Sequence, residues 1–200
     1  MGGAHRSVVS GKRESGRRRE ILEATLRVID SGGVDAVTHR AVAEAAGVPL
    51  ASTTYYFDSR DALVHEALEL VIDRSCALVR RHAGVEPPIT PAALVDRMVE
   101  LTEAQLDDRS TPLAAQFELM LESGRQPSLR PLAERWNREY MECMTALVAA
   151  AGLPDANGST VILTAVLEGS LLDQLALPQP EFADGVLRPM LTRVVSGLSG

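Results

Sequence analysis

Residues 38–57 read THRAVAEAAGVPLASTTYYF, and the punctuation in that stretch decides the fold. Thr38 suits an N-cap, because its hydroxyl can accept a hydrogen bond from an otherwise unpaired N–H of the first helical turn. The run 39–46 reads as a short helix whose apolar face, Val42, Ala43 and Ala46, is narrow and lets another helix approach closely. Gly47 follows, where a residue free to take positive φ ends a helix at little cost. Val48 fills the corner, and Pro49 is tolerated at the start of a new helix because its missing N–H would have had no intrahelical partner there. The second helix, 49–56, is too short to be stable alone, so neighbours must hold it. Two short helices meeting at a glycine make a helix-turn-helix, whose second helix is the one that enters the major groove of DNA.

The chemistry of that second helix fits the reading. Leu50, Ser52, Thr53, Thr54, Tyr55 and Tyr56 offer hydroxyls, methyls and ring faces, the groups that meet phosphates, base edges and thymine methyls. Tyr55 and Tyr56 taken singly fit an ordinary helical core equally well. The pattern around them favours the groove.

Working outward, helix one is expected over 16–31, with a core stripe of Ile21, Ala24, Thr25, Val28 and Ile29 broadened by Leu22 and Leu26. Gly32-Gly33 ends it. Asp58-Ser59 caps a long helix four, with Asp61 in its first turn, where negative charge suits the helix dipole; it runs to about His82. The run 18–63, RREILEATLRVIDSGGVDAVTHRAVAEAAGVPLASTTYYFDSRDAL, resembles the N-terminal domain of the TetR family of transcriptional regulators. The resemblance lies in the glycine pair after helix one, the Thr opening helix two, the Gly-Val turn, the aromatic pair ending helix three, and the Ser-basic-acidic-x-Leu entry to helix four. It implies that Arg40 reaches the DNA, that Pro49, Leu50, Ser52, Thr54, Tyr55 and Tyr56 lie on the recognition helix, and that Arg60 meets the DNA backbone, with Thr38 also set against phosphates. Two residues depart from the family pattern. Thr53 stands where a buried Leu is common, and Leu50 where a polar or basic residue is common.

The breaker cluster GVEPPITP, 84–91, is the expected domain boundary. The organisation expected is a disordered basic arm over 1–15, a DNA-binding domain with its connecting helix over 16–82, and a ligand-binding and dimerisation domain over 83–200. Five further helices are expected at 91–107, 111–124, 128–151, 159–177 and 182–198, which makes an all-α protein of about nine helices. Helix 159–177 is apolar nearly all round, and 182–198 carries a broad stripe of Val186, Leu187, Met190, Leu191, Val194, Val195 and Leu198. Such a helix is covered on both sides. The expected cover is a second copy, in a four-helix bundle with two helices from each chain, where Ala165 and Gly169 permit close approach. A deeply buried pair within one chain is the competing explanation. A two-fold dimer presents its recognition helices symmetrically, so the DNA site expected is near-palindromic.

The net charge of −7 looks wrong for a DNA binder until it is divided. Residues 1–82 hold 12 Lys and Arg against 11 Asp and Glu, whereas 83–200 hold 8 against 16. Within 1–19 stand six basic groups, Arg6, Lys12, Arg13, Arg17, Arg18 and Arg19, against Glu14 alone. A basic arm joined to a near-neutral helix-turn-helix fits the electrostatic footprint of a nucleic-acid binder, and a disordered, solubilising tail is the plainer alternative; both hold if the arm orders only on phosphates. Cys76 and Cys143 are far apart, lack zinc spacing with the scattered histidines, and read as reduced intracellular thiols. The basic N-terminus is followed by no apolar signal region, and the longest apolar run, 146–153, is short for a membrane span, so the expectation is a soluble, cytoplasmic protein.

The resemblance also implies a cavity in the C-terminal helices for a small-molecule effector that alters the spacing of the recognition helices. Met98, Thr102, Gln105, Gln116, Phe117, Met120, Trp136, Tyr140, Cys143 and Met144 are candidate lining residues, being polar or adaptable groups that interrupt apolar stripes. Each serves equally well as plain core. An aromatic content of 4% argues against a wide aromatic-lined pocket. No phosphate-cradling loop, nucleophile elbow or His-Glu-x-x-His motif proposes catalysis, and no cofactor or metal is expected. The function expected is a DNA-binding regulator, a repressor released by a ligand. A binding protein of the same shape without specific DNA recognition, and a helical enzyme, are the alternatives.

Overall fold

The structure, a computed structural model, describes residues 4–84, 86–108 and 110–199, with side chains from residue 15 onward. Among these residues there is no strand, and nine α-helices follow in order: α1 Ala4–Gly32, α2 His39–Ala46, α3 Leu50–Tyr56, α4 Arg60–Ala83, α5 Pro91–Asp107, α6 Leu113–Arg125, α7 Arg130–Ala150, α8 Ala156–Ala176 and α9 Arg188–Leu198. The all-α expectation holds.

The chain packs as two compact units, Met1–Ile72 with Ala114–Arg130, and Asp73–Leu113 with Pro131–Gly200. This division differs from a boundary at 84–91. The breakers there end a helix, but α4 runs through from the first unit into the second, and most of α6 belongs with the N-terminal helices. Where a helix stops and where its packing partners change are separate properties of a sequence.

In the first unit, α1 buries Ile21, Leu22, Ala24, Thr25, Leu26 and Ile29, while Val28 is half-buried. The Thr25 hydroxyl is satisfied within the helix, donating to the Ile21 carbonyl at 2.9 Å. Val34 and Val37 are buried at either end of the turn that leads to α2, and Leu63, Val64, Ala67, Leu68, Val71 and Ile72 of α4 complete the core. Each such aliphatic side chain contributes about 1.5–3 kcal/mol when taken fully out of water, which is what holds helices as short as α2 and α3. At its other end α1 is longer than expected. It begins at Ala4 rather than Gly16, so residues 4–15, read as a disordered arm, continue the helix. That run contains no proline, and Gly11 alone weakens it. The first three residues of the arm lie outside the described residues.

In the second unit, α5 buries Leu94, Val95, Met98, Val99 and Leu101, packing against α8 and α9. The connection into α5 is tied to α7, with the Ile89 N–H donating to the Ala150 carbonyl at 2.9 Å. Helix α8 starts three residues earlier than expected, at Ala156, because Asp155 caps it by accepting from the Gly158 N–H at 3.2 Å. Helix α7 starts at Arg130, after one 3-10 turn over Pro127–Leu129, and α6 runs from Leu113 to Arg125. The last expected helix is divided: Phe182–Leu187 forms a wide π turn, and regular helix begins at Arg188, with Pro189 in its first turn.

Helix α8 is long and apolar enough to cross a membrane by length and composition, and about a third of it is buried within the chain. Its inner side, Leu163, Leu167 and Leu171, is fully packed, while Val161 and Leu172 are 58% and 51% exposed, as is Leu177 just past its end at 74%.

Candidate nucleic-acid interface

Helix α2 is capped as the sequence implies. The Thr38 hydroxyl accepts from the Ala41 N–H at 3.0 Å, and Gly47 closes the helix in the left-handed region, φ 65°. The Gly47 N–H then donates to Glu44 O at 3.1 Å and the Val48 N–H to Ala43 O at 3.0 Å, so the last carbonyls of α2 are answered inside the turn. Pro49 stands as the N-cap of α3, its carbonyl accepting from the Ser52 N–H at 2.8 Å.

The seven residues of α3 divide cleanly into two faces. Thr53 is wholly buried against the rest of the unit, and Phe57, just past the helix, is buried with it. On the other side Leu50 is 51% and Tyr55 73% exposed, and Pro49, Ala51 and Thr54 are exposed alongside them; Ser52 and Tyr56 are half-buried. The two tyrosines meet edge to face, ring centroids 5.0 Å apart, so Tyr56 steadies the ring that projects furthest. Arg40 is exposed on the neighbouring α2 and carries no ion pair or hydrogen bond among the described residues. A large exposed Leu, two aromatics and a free guanidinium, all near-neutral around them, form a surface suited to bases and phosphates and poorly suited to water.

Two residues hold this surface in place through contacts that sequence reasoning did not foresee. Arg27 on α1 donates to the Ala45 carbonyl at 2.9 Å, pinning the last turn of α2. Arg18 lies over the Phe57 ring, 5.0 Å from its centroid, and also pairs with Glu66 of α4. Their spacing in the sequence gives no signal for either contact. Arg17 and Arg19, counted among the basic groups of the arm, pair with Glu20 and Glu23 of their own helix.

Arg60, expected at the DNA backbone, uses its guanidinium within the protein here: Nε donates to the Val37 carbonyl at 3.0 Å and Nη2 to the Val34 carbonyl at 2.8 Å, with Asp35 and Asp61 at 3.5 and 3.4 Å. Val34 O already accepts from the Val37 N–H at 3.1 Å and keeps a lone pair free, and the forked cation that opens α4 donates to it and to Val37 O together.

The effector candidates fall in different places. Met98, Thr102 and Gln105 on α5 and Trp136, Tyr140, Cys143 and Met144 on α7 belong to the second unit; Gln116, Phe117 and Met120 on α6 belong to the first, where Met120 is 40% exposed. Within the second unit Trp136 and Tyr140 stack, 5.2 Å between centroids and 15° between planes, and Trp136 Nε1 donates to Ser75 Oγ at 3.2 Å. The Thr102 hydroxyl donates to the Met98 carbonyl at 2.8 Å, and Gln105 is a buried residue of the same helix. Burial, and then the charge of Glu168, push the Tyr140 hydroxyl up, and burial raises Glu168 and Cys143 as well. Burial likewise lifts the Cys76 thiol to about 12, with Glu139 adding to it, so that thiol is inert. Two clefts in this unit, about 230 Å³ beside Pro91, Asp96 and Arg188 and about 770 Å³ beside Glu103, Asp107 and Phe182, are lined by none of the candidates.

Comparison with known proteins matches both parts of the chain. Residues 21–67 match the family described as bacterial regulatory proteins, tetR family, and residues 90–197 match the tetracyclin repressor-like C-terminal domain. The chain is similar to the nicotine-responsive transcriptional repressor HdnoR of Paenarthrobacter nicotinovorans, 24% identical over 187 residues that cover 89% of this chain and 95% of that one. Among solved structures, a member of the TetR family from Streptomyces coelicolor is 32% identical with a TM-score of 0.66, covering 89% of this chain and 97% of the other. The multidrug binding protein EbrR, solved with imidazole, is 33% identical with a TM-score of 0.62, covering 90% and 89%.

Proposed function

The chain belongs to the TetR family of bacterial regulatory proteins and is a DNA-binding transcriptional regulator, and from that premise we propose that it is a homodimeric, cytoplasmic repressor released from a near-palindromic operator by a small organic molecule. The observation that carries the reading is the two-faced α3, anchored by buried Thr53 and Phe57 and offering Leu50, Thr54 and Tyr55 to solvent. Leu50, Thr54, Tyr55 and Tyr56 enter the major groove with Pro49 and Ser52 at its edge, and Arg40 reaches a base or phosphate from α2. Thr38 already spends its hydroxyl as an N-cap acceptor but keeps its O–H to donate to a phosphate.

Dimerisation is proposed through the outward faces of α8 and α9. Val161, Ile162, Leu172 and Leu175 are exposed along α8, Ala165 and Gly169 are exposed between them, and Met190, Val194 and Leu198 of α9 are half-buried. An apolar strip of this extent belongs against another strip like it. The effector is proposed to enter the second unit near Trp136, Tyr140 and Gln105, since the family pairs DNA binding with ligand binding and the relatives named above are nicotine-responsive and multidrug-binding. A ligand shifts the DNA equilibrium only by its difference in affinity for the two states. The family is one of transcriptional regulators, and no catalytic role is proposed. A reporter gene placed behind an operator selected by the purified protein tests this: expression falling when the chain is present and recovering with an added compound supports a ligand-released repressor, and expression rising with the chain alone makes it an activator.

A further inference from the structure

We infer that Arg60 is a positioning residue for DNA recognition, one that holds the recognition helix in register by clamping the turn in front of α2 and makes no phosphate contact of its own. The inference rests on the DNA-binding reading and assigns this side chain a different task from the one that its place at the head of α4 suggests. All three nitrogens of its guanidinium are engaged: Nε with Val37 O, Nη2 with Val34 O and Asp35, and Nη1 with Asp61. The two carbonyls bracket the turn Val34–Ala36, and Val37 is joined directly to Thr38, the cap that starts α2. Fixing the Val34 and Val37 carbonyls therefore fixes where α2 begins. Helix α3 inherits that position through the tight Gly47 turn and through Thr53, whose hydroxyl also lies 3.4 Å from the His39 carbonyl.

The charges around Arg60 also disfavour a phosphate there. Asp35 and Asp61 flank the guanidinium, and Glu122 of α6 lies near enough for its carboxylate to feel the Arg60 charge. The same turn is approached by α6 from a second direction, since a side chain built at Gly33 would meet Glu118 Oε1 at 3.7 Å. A cation with two carbonyls and carboxylates already around it has little left with which to attract an anion, and a phosphate would have to displace bonds made in a fixed fork geometry.

The experiment compares wild type, Arg60→Ala and Arg60→Lys on a duplex that the wild-type protein has selected from a random DNA pool, measuring affinity across a salt series. A positioning role predicts that both variants bind about tenfold more weakly, since Lys keeps the charge but has one nitrogen in place of the planar fork whose Nε and Nη2 span the two carbonyls. It also predicts the same dependence of log affinity on log salt in all three proteins. A phosphate contact predicts instead that Arg60→Lys stays within about twofold of wild type and that Arg60→Ala flattens the salt slope by about 0.9, and that result overturns the inference. Should Arg60→Ala lose its fold, Arg60→Lys decides. Hydrogen exchange at the Ala41 amide, measured without DNA, is an independent readout: faster exchange in Arg60→Lys supports the clamp, and unchanged protection contradicts it whether or not a selected duplex exists.

Discussion

Thr53 donates its hydroxyl hydrogen to the carbonyl oxygen of Leu50 at 2.8 Å while itself fully buried. A polar residue at this inward position of α3 is therefore satisfied locally, and its methyl group is what the core receives. Replacing Thr53 by Val keeps the methyl packing and removes the hydrogen bond to Leu50 O and the longer approach to His39 O, so stability in urea is expected to change by less than about 1 kcal/mol. Thr53→Ala removes packing as well and is expected to cost about 1–2 kcal/mol. Equal losses in the two variants would mean that the hydroxyl, and not the packing, anchors the helix.

Gly47 is required by its backbone and not by crowding. Its φ is 65°, yet a Cβ built there meets nothing within 4 Å. Gly47→Ala is expected to destabilise by about 1 kcal/mol through backbone strain alone, and Gly47→Asn by less, because Asn tolerates the left-handed region better. Thermal unfolding of the two variants checks the order.

On the exposed side, Tyr55 is 73% exposed and Arg40 has no partner to lose, so Tyr55→Ala and Arg40→Ala are each expected to leave stability within about 0.5 kcal/mol of wild type. Arg40→Ala is expected to weaken binding to the selected duplex by about 1–3 kcal/mol if it reads a base. A variant that unfolds more easily but binds as well as wild type would place that residue in the core rather than in the groove.

Much of this architecture was legible because it rests on local rules. Thr38, Gly47 and Pro49 are chain punctuation: Thr38 and Gly47 cap α2 as the sequence implies, and Pro49, expected as the first helical residue, stands one place earlier as the N-cap of α3. The stripe on α1 and the apolar surround of α8 are matters of periodicity, which a sequence carries openly. What was not legible depends on contacts between residues distant in the chain. Nothing local marks Arg60 as a partner for carbonyls 23 and 26 residues earlier, or Arg18 as the cover for Phe57. The assignment of α6 to the first unit was hidden for the same reason, and with it the separation of Gln116, Phe117 and Met120 from the other effector candidates.

The exposed strip on α8 gives an assembly test. Leu172→Glu places a charge in the centre of the proposed dimer face, where burying it unpaired costs several kcal/mol. Light scattering at micromolar concentration is expected to report a mass falling from dimer to monomer, with helicity retained. A mass equal to wild type would move the interface elsewhere.

Glu168 supplies a pH dependence. Burial raises its carboxyl above the ordinary range. At low pH it is neutral in folded and unfolded chains alike and has no effect. As pH rises, the unfolded chain ionises first, and stability falls until the folded group ionises as well. Glu168→Gln is therefore expected to melt at a higher temperature than wild type at about pH 7 and at the same temperature near pH 3.5, where the carboxyl is neutral in both states. A lower melting temperature at neutral pH would mean that the carboxylate has a favourable partner.

The central claim, that α2 and α3 presented twice by a symmetric dimer recognise a particular DNA sequence, is tested most directly by the ratio of affinities for the selected duplex and a scrambled one at physiological salt. Specific recognition predicts a ratio on the order of 10³ or more, a two-fold symmetric site, and a preference that persists as salt rises. A ratio near one, with all binding vanishing as salt rises, contradicts it.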